Sequence, residues 1–288
     1  MTEIPTPLMT VRFGAATDRG LRRPINEDSY LAAEPLFLIA DGMGGHEGGE
    51  LASRAVIDAF APLVGRLSVD ADIVNIAYRA AVESVFAIPG LHGSAAGTTL
   101  TGVAIAENGG EAYWLMINVG DSRTYRLAGG VLEQISVDHS VVQELVESGR
   151  LTASEASTDP RRNVVTRAIG AGTLSEPDYW LIPAARGDRI LVCSDGLSGE
   201  VDKPLIERLL LTEIEPQAAA TRLVHEALLH GGRDNVTVVV VDAIDVAGSD
   251  DGATRPSDGA RDVAVDADRD NLDDTIPRRP AVESGDGR

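Results

Sequence analysis

Nine short apolar runs, most of them rich in Val, Ile and Leu, punctuate the first 246 residues and predict strands. They are Val11–Ala16, Leu36–Ala40, Thr98–Ala106, Ala112–Val119, Arg123–Leu127, Val131–Ile135, Tyr179–Ile182, Ile190–Cys193 and Val236–Val241. Ala128-Gly129-Gly130 separates two of them and signals a hairpin. Apolar residues at spacings of three and four predict helices instead over Gly49–Leu63, Ala71–Phe86, Ser140–Ser148 and Gln217–Leu229. In the first of these, Leu51, Ala55, Val56, Phe60 and Leu63 recur at spacings of mostly three to four, which fits a partly buried helix. Ser140 is a suitable N-cap for the third, and Gly149 a suitable residue just past its end. Strands dominate the middle, with helical pairs before and after. That order predicts an α+β fold of two antiparallel sheets flanked by helices, rather than alternating parallel α/β units.

Composition changes after Val246. Residues 247–288 are rich in Asp, Gly, Pro and Arg, with isolated apolar residues and no period, which predicts an acidic disordered tail behind a single folded domain of residues 1–246. The whole chain has 288 residues, 43% hydrophobic, and a formal net charge of -20. That charge argues against nucleic acid as the main partner. The single cysteine, Cys193, excludes an internal disulfide framework and suits a reducing cytoplasm. It lies in an apolar run and is expected to be inert packing, as Trp114 and Trp180 are expected to lie in or near the core. No apolar run approaches the roughly 18 residues needed to cross a bilayer, and Met1–Pro5 lacks the features of a signal peptide. The expected location is therefore cytoplasmic.

Four acidic turns lie against or near these runs: Asn26-Glu27-Asp28, Asp41-Gly42-Met43-Gly44-Gly45, Ser194-Asp195-Gly196-Leu197 and Asp234-Asn235. Asp41 and Asp195 follow strands and Asp234 precedes one, so in an antiparallel sheet they can meet at one edge. Singly, each is more often a turn residue than a ligand. Together, desolvated carboxylates repel one another unless something positive joins them. An all-oxygen donor set selects Mg²⁺ or Mn²⁺ over zinc. The five histidines show no paired ligand spacing. Gly42 and Gly196 directly follow their acids, where a sharp turn could present a backbone carbonyl. Two ions held close together activate a water for attack on an electrophile. Arg23, four residues before Glu27, offers a planar fork to a phosphate. The glycines after Asp41 lack the Gly-Lys-Ser/Thr ending of a P-loop, Cys193 lacks the loop of a cysteine phosphatase, and Ser194 lacks the turn of a hydrolase nucleophile.

Eight segments resemble, in order, the motifs of the metal-dependent type-2C (PPM) protein phosphatases in their compact bacterial form. They are Arg23–Ser29, Asp41–Glu50, Gly97–Thr99, Asn118–Arg123, Asp138–Ser140, Thr166–Gly170, Cys193–Leu197 and Asp234–Thr237. The resemblance implies a four-layer α-β-β-α sandwich that hydrolyses phosphoserine and phosphothreonine in proteins and reverses bacterial kinase signalling. By position, Asp41 would bridge two Mn²⁺ or Mg²⁺ ions and the Gly42 carbonyl would bind one of them. Asp195 and Asp234 would complete the other, while Glu27 and Asp28 would act mainly through waters. Asp121, with Asp195, matches a third, weaker ion site, although Gly120-Asp121-Ser122 would equally serve as a tight turn. Arg23 would hold the phosphate, and the segment between Ser140 and Val165 resembles a flap over the cleft. No histidine is matched to the leaving-group acid of eukaryotic members; His139 is expected to order a turn. Arg161 and Arg162 in the flap are expected to attract phosphopeptide. Two other readings stay open: a silent phosphopeptide-binding scaffold and a phosphatase of small metabolites. In the tail, Asn271–Arg278 sets Thr275 among acidic and apolar residues, where its phosphorylated form suits a forkhead-associated partner.

Overall fold

The computed structural model describes residues 7–44, 48–88, 96–171 and 175–247. Gly45-His46-Glu47, His92, the tail beyond Ala247 and Thr275 lie outside the described residues.

Among the described residues, eleven strands form two antiparallel sheets. One sheet has the order β1 (Met9–Asp18), β11 (Val236–Val246), β10 (Arg189–Cys193), β7 (Arg123–Ala128), β8 (Val131–Gln134). The other runs β2 (Asp28–Ala33), β3 (Leu36–Met43), β5 (Leu100–Asn108), β6 (Glu111–Val119), β9 (Asp178–Pro183), with the short β4 (Gly97–Thr98) paired to the end of β3. Helices α1 (Gly48–Phe60) and α2 (Ala71–Phe86) cover the second sheet. Helices α5 (Asp195–Ser198), α6 (Lys203–Thr212) and α7 (Pro216–His230) cover the first. Two short helices, α3 (Val141–Glu147) and α4 (Ala153–Ala156), lie in the connection from β8 to β9.

The period of two along each central strand generates the layers. In β3, Leu36, Leu38 and Ala40 face the helices, while Phe37 and Ile39 face the opposite sheet. In β10, Leu191 and Cys193 face helices and Ile190 and Val192 face the other sheet; Val238 and Val240 alternate with Val239 and Val241 in β11. Three stacked apolar layers result, which is the four-layer α-β-β-α sandwich. Each fully buried large apolar side chain contributes about 1.5–3 kcal/mol. Trp114 lies wholly inside the middle layer, where its Nε1 donates to Asp188 Oδ2 at 3.1 Å, and Trp180 packs against that layer half-buried.

Several local expectations hold. Ser140 caps α3 by accepting from Gln143 N, and Gly149 has φ +70° just past its end. Gly129 and Gly130, at φ +58° and +82°, close the hairpin between β7 and β8. Other elements escaped the pattern. The run expected as one strand over Thr98–Ala106 divides into β4 and β5. Strand β2 sits at a sheet edge, half-buried except for exposed Tyr30, so it shows no alternation. Helices α4 and α5 are each four residues long, too short to carry a period. Helix α6 buries only Ile206, Leu209 and Leu210, and is capped by Asp202 accepting from Leu205 N. Among the described residues no helix is long and apolar enough to cross a membrane.

Candidate active site

The acids gather at one end of the sandwich, between the sheets. Asp41 lies near the end of β3 and is the register partner of Asp28, the first residue of β2. Asp195 directly follows Ser194 at the end of β10, and Asp234 stands two residues before β11, which pairs with β10. Asp121 occupies the turn from β6 to β7. The single sheet edge expected from sequence is therefore corrected. The strands that bring in Asp41, Asp195 and Asp234 are central ones from two different sheets, and the acids meet where the strand ends of both sheets open.

Backbone positions are held by hydroxyls. Asp41 N donates to Thr99 Oγ1 at 3.0 Å, and the Asp41 carbonyl accepts from Thr98 Oγ1 and Thr99 N, each at 2.9 Å. Asn235 accepts from Glu27 N and donates to the carbonyls of Arg19 and Ile25, so it ties the loop carrying Arg23 to the start of β11. Gly42 and Gly196 do not make the sharp turns expected of them. Neither has a positive φ; Gly42 lies within β3 and Gly196 within α5. A Cβ on Gly42 would strike the Gly49 and Glu27 carbonyls, and one on Gly196 the Asn235 carbonyl. Close backbone approach, rather than a sharp turn, requires both glycines.

Burial and mutual repulsion raise the carboxyl pKa values. Desolvation pushes Asp28 to about 7 against hydrogen bonds from Thr237 and Ser194, with Asp195 and Asp234 adding to the rise. Asp121 is pushed to about 7 by burial and then by Asp195 and Asp138. Asp195 rises to about 6 by burial and the charge of Asp234, partly offset by a hydrogen bond with Asp41. Asp41 lies well above the ordinary carboxylate range through burial and the charge of Asp28, then of Asp195. Glu27 is also raised, by burial. Asp28 Oδ1 and Glu27 Oε1 are buried without a hydrogen-bond partner. Clustered oxygens of this kind fit a hard divalent cation in chemistry. Among the described residues no three His, Cys, Asp or Glu side chains already stand at ion-enclosing spacing. Arg23 meets Asp234 rather than standing apart for an anion: its Nη2 donates to Asp234 Oδ2 at 2.7 Å.

The sequence model of protein phosphatase 2C matches residues 24–230. The chain belongs to the protein phosphatase 2C family. It is 39% identical over 292 aligned residues to the serine/threonine protein phosphatase PstP of Mycobacterium tuberculosis, covering 93% of this chain and 54% of PstP. The chain thus spans about half the length of that relative. It is 33% identical over 241 residues to the serine/threonine phosphatase stp of Listeria monocytogenes, covering 78% of this chain and 93% of stp. The crystal structure of the Mycobacterium tuberculosis phosphatase PstP/Ppp superposes with TM-score 0.74 at 42% identity, over 81% of this chain and 99% of that one. A structure of the PstP catalytic domain in complex with two manganese ions gives TM-score 0.73 at 40% identity, over 82% of this chain and 99% of that one.

Within this phosphatase 2C fold, His139 does order a turn. Its Nδ1 accepts from Gly120 N at 3.1 Å, its N donates to the Gly120 carbonyl, and its Nε2 bonds Asp178 Oδ2 at 2.9 Å. The segment resembling a flap is pinched at its neck, where Ser140 pairs with Val165 and Val141 N donates to the Val164 carbonyl. Arg161 is held in a fork by Asp159, at 2.9 and 2.8 Å. Thr98, Thr99, Ser194 and Thr237 lie within motif segments of the sequence, but nothing there assigned their hydroxyls a role in holding the acids.

Proposed function

We propose that this protein hydrolyses phosphoserine and phosphothreonine in proteins with the help of Mn²⁺ or Mg²⁺. What carries the reading is the convergence of Asp28, Asp41, Asp121, Asp195 and Asp234 at one end of the sandwich, with Arg23 seated beside them. Asp41 would bridge two ions and the Gly42 carbonyl would serve one; Asp195 and Asp234 would serve the other. Glu27 and Asp28 would act through ordered waters, and Asp121 with Asp195 would hold a third, weaker ion. Bound there, such ions supply Lewis acidity to a water and to the phosphoryl oxygens. The chain's own part is to hold its carboxylates in a partly dehydrated pocket and to orient the phosphate. Arg23 keeps further N–H donors beyond the one it gives Asp234, and its planar fork suits a dianion. Arg161 and Arg162 in the flap would add attraction for phosphopeptide, a role that reversing their charge without raising KM would disprove.

The deciding experiment is turnover of a phosphothreonine peptide with Mn²⁺ by the intact chain and by Asp41→Ala and Asp195→Ala. Loss of turnover in both variants is expected; near-normal activity in either sinks the reading. A phosphorylated sugar as a parallel substrate separates protein substrates from small metabolites. Residues 1–246 would form the catalytic unit and 247–288 a tail, with the protein acting in the cytoplasm to reverse kinase signalling. Phospho-Thr275 would dock on a forkhead-associated domain. Equal binding of phosphorylated and unmodified tail peptides would dispose of that partner.

A further inference from the structure

Asp28 is held by side-chain hydroxyls that reach it from across the sandwich. Its Oδ2 accepts from Ser194 Oγ at 2.8 Å and from Thr237 Oγ1 at 2.7 Å. Both donors come from the side of the opposite sheet: Ser194 directly follows β10, and Thr237 is the second residue of β11. The donor sense of the surrounding hydrogen bonds is fixed by atom chemistry. Asn26 Nδ2 can only donate, and it gives to Thr17 Oγ1 at 2.8 Å. Thr237 Oγ1 gives its one proton to the acceptor-only Asp28 Oδ2, so at their 2.7 Å contact Thr17 Oγ1 is the donor to Thr237 Oγ1. The ring closes when Asp28 N donates to Asn26 Oδ1 at 3.1 Å. On the other side, Ser194 Oγ accepts from Thr237 N at 3.0 Å and gives its own proton to the acceptor-only Asp28 Oδ2. Two hydroxyl donors thus saturate Oδ2, while Oδ1 is buried and unpartnered.

We propose that Ser194 and Thr237 are positioning residues for divalent-ion binding, fixing Asp28 as an acceptor and leaving Oδ1 as the oxygen that serves the ion or its waters. The inference rests on the divalent-ion reading above. The physical basis is that groups which orient a ligand's carboxylate govern affinity without touching the ion, commonly by about 10- to 100-fold. The two contacts also stitch the sheets together at the site, so the alignment of Asp28 depends on how the sheets stack.

Thr237→Val deletes the hydroxyl at nearly constant shape, and Thr237→Ser retains it. Calorimetric titration of the full chain with Mn²⁺ is expected to show affinity lowered about 10-fold or more in Thr237→Val and restored in Thr237→Ser. Turnover of p-nitrophenyl phosphate should fall in Thr237→Val at limiting Mn²⁺ and recover as Mn²⁺ is raised. Wild-type affinity in Thr237→Val, or equal impairment of Thr237→Ser, overturns the proposal. Should Thr237→Val fail to fold, Thr17→Val removes only the hydroxyl that orients Thr237 and must lower affinity several-fold; unchanged affinity there overturns it as well. A wild-type chain that takes up no Mn²⁺ defeats the metal reading itself, an outcome separate from the variant comparison, and the positioning role falls with it.

Discussion

Arg23 and Asp234 form a 2.7 Å ion pair across 211 positions of sequence. The guanidinium expected to face a phosphate is therefore seated on one of the acids expected to hold an ion. Their side chains are 46% and 35% exposed, so solvent screens the pair and its contribution to folding is small. Its consequence is orientation. Asp234 steers the arginine to the mouth of the acid cluster, and the arginine tempers the repulsion among its neighbours, lowering the pKa of Asp195 and Glu27.

Arg23→Ala should therefore separate stability from function. A melting temperature close to wild type is expected, since exposed pairs contribute about 0–1 kcal/mol. KM for a phosphothreonine peptide should rise about 10-fold or more. Arg23→Lys should recover only part of that loss, because an ammonium lacks the fork. Unchanged KM in Arg23→Ala, measured by steady-state kinetics, would remove the arginine from phosphate binding.

The acid cluster makes stability depend on pH and on divalent ions. Asp28 and Asp121, raised to about 7, and Asp195, raised to about 6, bind more protons folded than unfolded between about pH 4 and 7. Their contribution is complete below the unfolded pKa near 4 and is lost as pH rises through 6 to 7. In chelator, the melting temperature should fall across that interval. With Mn²⁺ at about 100 times its dissociation constant, stabilisation of about 2.7 kcal/mol is expected near neutrality, shrinking toward pH 4.5 as protons compete. Differential scanning fluorimetry from pH 4.5 to 7.5 with and without Mn²⁺ reads both slopes. A flat chelated profile together with indifference to Mn²⁺ would contradict the cluster's charge state.

Gly196→Ala places a methyl against the Asn235 carbonyl. Because that contact is with backbone, relief requires the start of β11 to shift away from the end of β10. A stability loss of at least about 1–3 kcal/mol is expected, with weakened Mn²⁺ binding as Asp195 and Asp234 move apart. Urea denaturation and calorimetry check the two effects; a fully stable variant with intact Mn²⁺ affinity would mean the close approach is not needed.

At the far end of β10 from Asp195, Asp188 tests the reverse pattern. It is 2% exposed and accepts from Arg126 Nε and Nη2 at 3.0 and 2.8 Å, Trp114 Nε1 at 3.1 Å and Ala185 N at 2.9 Å. Asp188→Ala strands the Arg126 charge and the indole donor, at a cost of about 3–5 kcal/mol. Folded protein at low temperature should still bind Mn²⁺ as wild type does. Loss of Mn²⁺ affinity without loss of stability would show a coupling along the strand that the geometry does not contain.

Helix α2 was legible to the residue because apolar positions recur over sixteen residues on a uniform helical face. The inner strands were legible for a related reason: β10 and β11 are buried on both faces and read as continuous Val, Ile and Leu. Strand β2 was not, since an edge strand half in water has no need of alternation. The acids Asp41, Asp195 and Asp234 stood out because each interrupts or adjoins such a run. Ser194 and Thr237 did not, because a hydroxyl in a strand looks alike whether it meets water or a carboxylate.

The order of residues alone determined the paired sheets, the flanking helices and which acids lie at strand ends, because periodicity and chain breaks are local properties. Only the tertiary structure decided that those ends belong to two different sheets, that Arg23 closes on Asp234, and that Asp28 is gripped by hydroxyls from across the sandwich. Those relationships join positions up to about two hundred residues apart. They are set by how the sheets stack on their shared apolar layer, and no local pattern of residue types records that stacking.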